Sequence, residues 1–365
     1  MKESEGGTAA TAVPPFSAGR MPMTELKQLP GPLLAWYEKN ARALPWRSDP
    51  TPYHVFVSEL MLQQTRVAAA LDYYRRFMEA LPTVEDLARC PEDRLMKLWQ
   101  GLGYYSRARN LKKAACQVAE DFGGAFPNDF ARLRTLAGVG DYTAGAVASI
   151  AFGQPVPAVD GNVLRVVSRI TADCRDMARP QVKREVGEAL RAVMPPNRPG
   201  DFNQALMELG ALVCLPNGAP LCGQCPAESF CAAKRQGMAG RLPVKPPKKP
   251  RRVEERAVYL ICRQNRVALR RRPARGLLAG LWEYPSGPAG WPCPVAGGAC
   301  LAGEARHVFT HVEWRMTAWA VEAAGEALPE GWVWAAEADL AEVYPVPSAF
   351  GAFRGWVERR LKAGE

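Results

Sequence analysis

No stretch of this 365-residue chain is both long and apolar enough to span a bilayer as a helix. Its start lacks the charged segment and apolar core of a secretory signal. Residues 1–23, small, polar and proline-containing, read instead as a disordered tail. Without an export signal, the ten cysteines do not read as a disulfide framework. No internal repeat is visible. Acidic side chains are in deficit, 37 against 47 basic ones, and the formal charge of +10 favours a polyanionic partner. What is present is enough to build a core: 48% of residues are hydrophobic, and the length suits two domains.

From residue 24 to 240 the apolar spacing is helical, with Pro and Gly as punctuation. Leu60, Leu62 and Val67 share one side of an expected helix, followed by Leu71, Tyr74 and Phe77. Further helices are expected over Asp93–Gln100, Arg107–Glu120, Thr143–Phe152, Asn162–Thr171, Gln181–Val193 and Phe202–Val213. Residues 241–256, RLPVKPPKKPRRVEER, combine prolines with like charges and read as a linker. Beyond it the texture changes. Strands are expected over Ala257–Arg263, Arg266–Arg270, Trp314–Glu322 and Trp332–Ala335, and a helix near Ser348–Lys362. Residues 257–365 therefore form an α+β domain.

The most informative segment is Leu136–Arg165, LAGVGDYTAGAVASIAFGQPVPAVDGNVLR. Gly138-Val139-Gly140 forms a hairpin between two helical segments, leaving free N–H groups at the start of the second helix, a site that suits a phosphate. Asp160 lies alone in an apolar run, where a carboxylate is costly to bury unless it has a task or a partner. A phosphate grip followed by a poised carboxylate points to an enzyme acting on nucleic acid. Cys214, Cys222, Cys225 and Cys231 follow in the pattern C-x7-C-x2-C-x5-C. Four thiolates so close together can surround one metal centre, and zinc and an iron–sulfur cubane both suit that chemistry.

These pieces together resemble the helix-hairpin-helix DNA glycosylases related to endonuclease III, and within them the adenine DNA glycosylases of the MutY type. The matching text is VSELMLQQTRV (57–67), LWQGLGYYSRARNLKKAA (98–115), LAGVGDYTAGAV (136–147), VDGNVLRV (159–166), FNQALMELGALVC (202–214) and the cysteine cluster. It continues more loosely through GLLAGLWEYP (276–285) and RHVFTH (306–311). The resemblance implies two helical subdomains with a 4Fe–4S cluster on the four cysteines, then a Nudix-like lesion-recognition domain. It implies excision of adenine mispaired with 8-oxoguanine or guanine in double-stranded DNA, by a monomer in the cytoplasm, at the nucleoid if the source is bacterial. A thymine or uracil mismatch glycosylase on the same scaffold, a non-catalytic damage-binding protein and a zinc-ribbon regulator are the rival readings.

The resemblance also implies roles for single residues. Breaking an N-glycosidic bond requires protonation of the leaving purine and stabilisation of a cationic sugar, work for two carboxylates in unlike environments. Glu59 matches the general acid, and its apolar surroundings would favour the protonated form. Asp160 matches the carboxylate that stabilises the sugar. By residue type alone, Glu59 would be a helix-surface residue and Asp160 a helix N-cap. Tyr142 and Asn162 match positions that assist Asp160. Endonuclease III types carry lysine at the place of Tyr142, and a phenol cannot form the imine that strand cleavage requires, so a monofunctional enzyme is expected. Arg47 and Gln204 match positions lining the adenine pocket. Gln64, Leu62 and Tyr104 match residues that wedge into the duplex. Gly138 and Gly140, with Arg107 and Arg109, would contact phosphates. Phe309, Thr310 and His311 match a loop that senses 8-oxoguanine. The glutamate-rich Nudix box is missing, so no pyrophosphatase activity is expected. Asp141 stands where a basic or neutral residue is commoner and would repel a nearby phosphate. The loop Leu215–Leu221 carries no Lys or Arg.

Overall fold

The structure, a computed structural model, describes residues 23–244, 250–293, 295 and 297–363. The expected N-terminal tail, except Met23, and the centre of the expected linker lie outside the described residues. The helices are α1 (Thr24–Lys27), α2 (Pro30–Asn40), α3 (Pro45–Ser48), α4 (Pro52–Leu62), α5 (Val67–Ala80), α6 (Val84–Arg89) and α7 (Glu92–Leu98). They continue as α8 (Ser106–Asp121), α9 (Phe130–Leu133), α10 (Asp141–Ile150), α11 (Gly161–Ile170), α12 (Pro180–Val193), α13 (Pro199–Leu212) and α14 (Ala232–Arg235). The strands are β1 (Arg252–Arg263), β2 (Arg266–Arg271), β3 (Trp282–Glu283), β4 (Ser286–Pro288), β5 (Ala299–Val308), β6 (Val312–Glu322) and β7 (Trp332–Ala335). Helices α15 (Glu337–Glu342) and α16 (Gly351–Lys362) follow them.

Contacts divide the chain into two compact units, each discontinuous in sequence. One joins the segment ending at Ala43 to Ala148–Pro246; the other joins Leu44–Val147 to Pro247–Glu365. In the first unit α2, α11, α12 and α13 enclose a core of Leu33, Val163, Val167, Val186, Phe202 and Leu209. Local sequence explains the helix starts. Proline occupies the first turn of α2, α12 and α13, where its missing N–H costs nothing. Asp160 caps α11, accepting the Val163 N–H at 2.7 Å.

In the second unit the helical part packs around Phe56, Phe77 and Trp99, the last two in edge contact with centroids 6.2 Å apart. Thr51 caps α4 and Thr83 forms a capping box with Asp86 on α6. The remainder is a seven-stranded mixed sheet in the order β3-β2-β1-β6-β5, with β4 paired to β1 and β7 to β2. β1 and β6 run parallel, Arg252 opposite Val312 through Cys262 opposite Glu322. Helix α16 covers one face through Phe353, Val357 and Leu361. Helical and α+β portions follow one another as the sequence reading expected.

Several differences from that reading concern the sheet, in which β3 and β4 were not expected. β1 begins at Arg252, so Arg252–Arg256 is strand and not linker. The charges there are of both signs, and Arg252 pairs with Glu254 on its own strand, so like-charge repulsion does not oppose pairing. β5 was not anticipated. It is an edge strand with few β-branched residues, and a bulge between Leu301 and Gly303 interrupts its alternation.

Candidate active site and cysteine centre

Two clusters of candidate residues emerge, one in each unit. In the second unit, Glu59 lies in the last turn of α4, between Ser58 and Leu60, and is only 6% exposed. The hydroxyl of Tyr142, at the start of α10, donates to Glu59 Oε2. A buried carboxyl steered by a phenol can present a proton in a fixed direction. The hairpin precedes α10. Gly138 has φ +74°, and a Cβ there would stand 2.5 Å from Asn110 Cβ on α8, so both the turn and the packing require glycine. Gly138 and Gly140 are exposed. Asp141 pairs with Arg134 at 2.6 Å, so its negative charge has a local counter-ion at the hairpin.

Gln64 and Tyr104 lie on the loops that follow α4 and α7, and both adopt left-handed backbone, φ +60° and +47°. Such conformations are uncommon for residues other than glycine and mark a held loop. Gln64 is exposed, Leu62 half-buried, and Tyr104 47% exposed. The Tyr104 hydroxyl shares a 3.0 Å hydrogen bond with the Thr310 hydroxyl.

The structure corrects the placement of one of the two arginines expected to meet phosphate. Arg107 is 7% exposed, and its guanidinium donates to main-chain carbonyls of the chain itself. Burial pulls it down to about 10, still well above neutrality. Arg109 bonds Glu92 at 2.7 Å and the Ala279 carbonyl. Local pattern marked Arg107 as a surface cation because the α4 carbonyls that bury it lie more than forty positions away, whereas Arg109 stays half-exposed.

In the 309–311 loop, Phe309 is held edge-on between His307 and Trp314, centroids 4.6 and 4.8 Å away. It anchors the loop in the sheet's core, while Thr310 and His311 are exposed. Burial lowers the pKa of His307, so this anchor is neutral at physiological pH.

In the first unit, Asp160 Oδ2 accepts the Asn162 amide at 2.7 Å, and Asn162 Oδ1 accepts Arg165 Nη2 at 2.8 Å. Arg165 continues to the Cys214 and Gly210 carbonyls, both at 2.8 Å. Burial raises the Asp160 pKa, against the opposing pull of its hydrogen bonds to Val163 and Asn162. A Cβ on Gly210 would stand 2.7 Å from Asn162 Cβ, so glycine lets α13 approach this carboxylate shelf. Fully buried Asn203 bonds Ala158 N, Ser149 and the Val156 carbonyl, fixing the segment that leads to Asp160. Sequence reading missed Asn203, Arg165 and Arg169. For the arginines a signal existed: two cations four residues apart on an otherwise apolar helix. Arg47 on α3 and Gln204 on α13 are each half-buried.

The four cysteines lie beyond α13. Cys214, Cys222, Cys225 and Cys231 line one small cavity with Val166, Ile170, Leu209 and Val213. Arg169, 3% exposed, donates to Cys214 Sγ at 3.2 Å and to the Leu215 carbonyl at 2.9 Å. Burial pushes Cys225 up to about 12 and raises Cys231. Thiols in so apolar a place ionise only against a cation, and four soft donors fit a thiolate-bound metal centre. Among the described residues no three donors converge on a point within reach of one ion; the sulfurs ring a cavity instead.

Comparison with known proteins bears on both clusters. Residues 57–192 match the family model of the HhH-GPD superfamily of base excision DNA repair proteins, and residues 256–353 match the NUDIX domain. An adenine DNA glycosylase of Rattus norvegicus is 38% identical over 77% of this chain and 68% of its own length. That of Homo sapiens is 39% identical over 72% of this chain, which spans 58% of the human protein. That of Schizosaccharomyces pombe is 34% identical, covering 73% of this chain and 72% of the relative. Among solved structures, a thermostable thymine-DNA glycosylase superposes with a TM-score of 0.52 at 28% identity, covering 56% of this chain and 94% of that one.

Proposed function

Since this chain belongs to the adenine DNA glycosylase family of base-excision repair proteins, we propose that it hydrolyses the N-glycosidic bond of adenine mispaired with 8-oxoguanine or guanine in duplex DNA. It would act as a monomer, in the cytoplasm or on the nucleoid. The observation that carries this reading is the buried Glu59 carboxyl held by the Tyr142 hydroxyl. Adenine must leave the stack before its bond to the sugar is reachable. Glu59 then gives its proton to N7 of the purine. The C1′–N9 bond breaks and its electron pair leaves with the base. Asp160 balances the positive charge on the sugar. A water oxygen bonds to C1′ and its proton returns to the carboxylate, giving free adenine and an abasic site. Tyr142 cannot form an imine, so the enzyme stops at hydrolysis. The deciding measurement is base release in single turnover from 8-oxoguanine:A, G:A, G:T and G:U duplexes. Adenine release is expected. Release confined to thymine or uracil would install the mismatch-glycosylase reading, and binding without release the damage-binding one.

The four cysteines would hold a 4Fe–4S cluster, whose chemistry here is a covalent clasp across the loop from Cys214 to Cys231. Arg169 would donate to the ligating Cys214 sulfur. Metal binding and local folding are then coupled. Cys222→Ser is expected to lower iron content and soluble yield together. Near-full iron and unchanged broad visible absorption in that variant would remove Cys222 from the ligand set. Stoichiometric zinc without iron, in protein purified without air, would replace the cluster with a zinc site.

Phe309 would hold the loop in place so that Thr310 and His311 meet the oxidised base. With Arg107 committed inside the protein, the exposed hairpin glycines and the half-exposed Arg109 are the first candidates for contact with the phosphate backbone.

A further inference from the structure

We infer that Arg107 is a positioning residue that couples the lesion-facing loop to the helix carrying the general acid, so that contact at Thr310 is felt at Glu59. The inference rests on the function proposed above and goes beyond it.

The last carbonyls of α4 have no partners within their own helix, the usual state of a helix end. Arg107, from the first turn of α8, satisfies two of them, while the Leu62 carbonyl accepts the Thr65 N–H. Its Nη1 donates to the carbonyls of Leu60 and Met61 at 2.8 Å and of Gln63 at 2.6 Å. Its Nη2 donates to the carbonyls of Leu102 and Gly103, both at 3.1 Å, and lies 3.4 Å from Thr65 Oγ1. One planar fork therefore holds two loops at once. Each loop contains a left-handed residue immediately after a carbonyl that Arg107 grips, Gln64 after Gln63 and Tyr104 after Gly103. Left-handed backbone at such residues persists only where its surroundings over-determine it. Among the described residues no carboxylate pairs with Arg107, so its charge rests on carbonyl dipoles and two aromatic faces. Trp99 and Tyr104 each lie 5.4 Å from the guanidinium.

The coupling runs through bonded neighbours. Thr310 meets Tyr104 through their hydroxyls. Tyr104 follows the Gly103 carbonyl, which accepts from both Arg107 and the Trp99 indole. The other end of the same guanidinium holds Leu60, the residue after Glu59. If Tyr104 shifts as it enters the duplex, Arg107 cannot keep both sets of bonds unless the end of α4 moves with it. A lysine could hold only one set, because its single ammonium lacks the fork.

A double-mutant cycle tests this, with single-turnover adenine release from 8-oxoguanine:A and G:A duplexes at saturating enzyme as the readout. In the natural background Thr310→Ala is expected to reduce the 8-oxoguanine:A preference. In an Arg107→Lys background that preference should already be low, and Thr310→Ala should add little. The two changes should depart from additivity by at least about fivefold, the scale of coupling between linked sites. A purely structural loss would lower both rates by one factor and leave the ratio untouched. Additive effects would overturn the inference. Where Arg107→Lys does not fold, Trp99→Phe, which removes the indole bond to Gly103 and reduces the aromatic face against the Arg107 guanidinium, takes its place in the same cycle with Thr310→Ala: non-additive effects support the coupling and additive ones overturn it. The two proposals fail separately. A natural protein that releases no adenine from either duplex refutes the functional reading, whereas normal release with an additive cycle refutes only the coupling.

Discussion

Asp160→Asn is expected to abolish adenine release while leaving a folded protein that still binds the mispair. Asparagine caps a helix about as well as aspartate, so α11 keeps its start through the Val163 N–H. What disappears is the negative charge that, in the proposed mechanism, would face the cationic sugar. Removing one preorganised electrostatic group typically costs on the order of 10²–10³ in rate, and loss of a full charge should exceed that. Release within tenfold of the natural protein, in single turnover, would take Asp160 out of the mechanism. The pH dependence carries a second check. Burial raises the Asp160 pKa above the ordinary carboxylate value, so the acid limb of the rate profile should lie above the usual range for aspartate. The same shift has a sign for stability. A raised folded-state pKa contributes stability that is fully present below the unfolded pKa of about 3.9 and is lost as pH rises through the folded value. Relative to Asp160→Asn, the natural protein should therefore gain stability on acidification. Parallel melting curves for the two across that window would contradict the buried setting of this carboxylate.

Glu59→Gln is the second large effect. Glutamine fills the same space and can still accept the Tyr142 hydroxyl, but it has no proton to give. General acid catalysis contributes roughly 10²–10⁴-fold, and rate should fall by at least that much with melting temperature little changed. A 7-deaza-adenine duplex supplies the complementary experiment. It lacks the ring nitrogen that would take the proton, so the natural enzyme should bind it and leave it intact. Efficient cleavage of that analogue would place the proton elsewhere. Tyr142→Phe should have a smaller effect than Glu59→Gln, because it removes the steering bond and keeps the acid.

The helices around both clusters were legible because their boundaries are written locally. Expected spans for α8, α11, α12 and α13 agree with the observed ones to within a turn, and proline or an acidic cap explains most starts. The hairpin and Asp160 stood out in the sequence itself, as a glycine turn and a lone carboxylate in an apolar run, whereas Glu59 and Tyr142 were singled out through motif resemblance. Arg107 was misread as a surface cation because it is consumed by groups that only the fold supplies, carbonyls more than forty positions away. The aromatic ladder across strands that holds Phe309 is likewise supplied by the fold and not by its local sequence. Arg165 and Arg169 are cations whose acceptors are main-chain carbonyls and a sulfur beyond α13, contacts that periodicity does not encode.

The discontinuous first unit has a consequence for the order of assembly on the ribosome. Helices α1 and α2 emerge early with Leu26, Leu29 and Leu33 fully buried in the finished protein, yet their partners Val163, Phe202 and Leu206 follow more than a hundred residues later. Long-range closures of this kind are slow, and apolar surface that waits for them is exposed to aggregation. The helical segment Leu44–Val147 is synthesised in between. The nascent chain thus carries the apolar faces of α1 and α2 uncovered through the synthesis of an entire helical segment, which makes the interval before α13 leaves the exit tunnel the stage at which a chaperone would matter most.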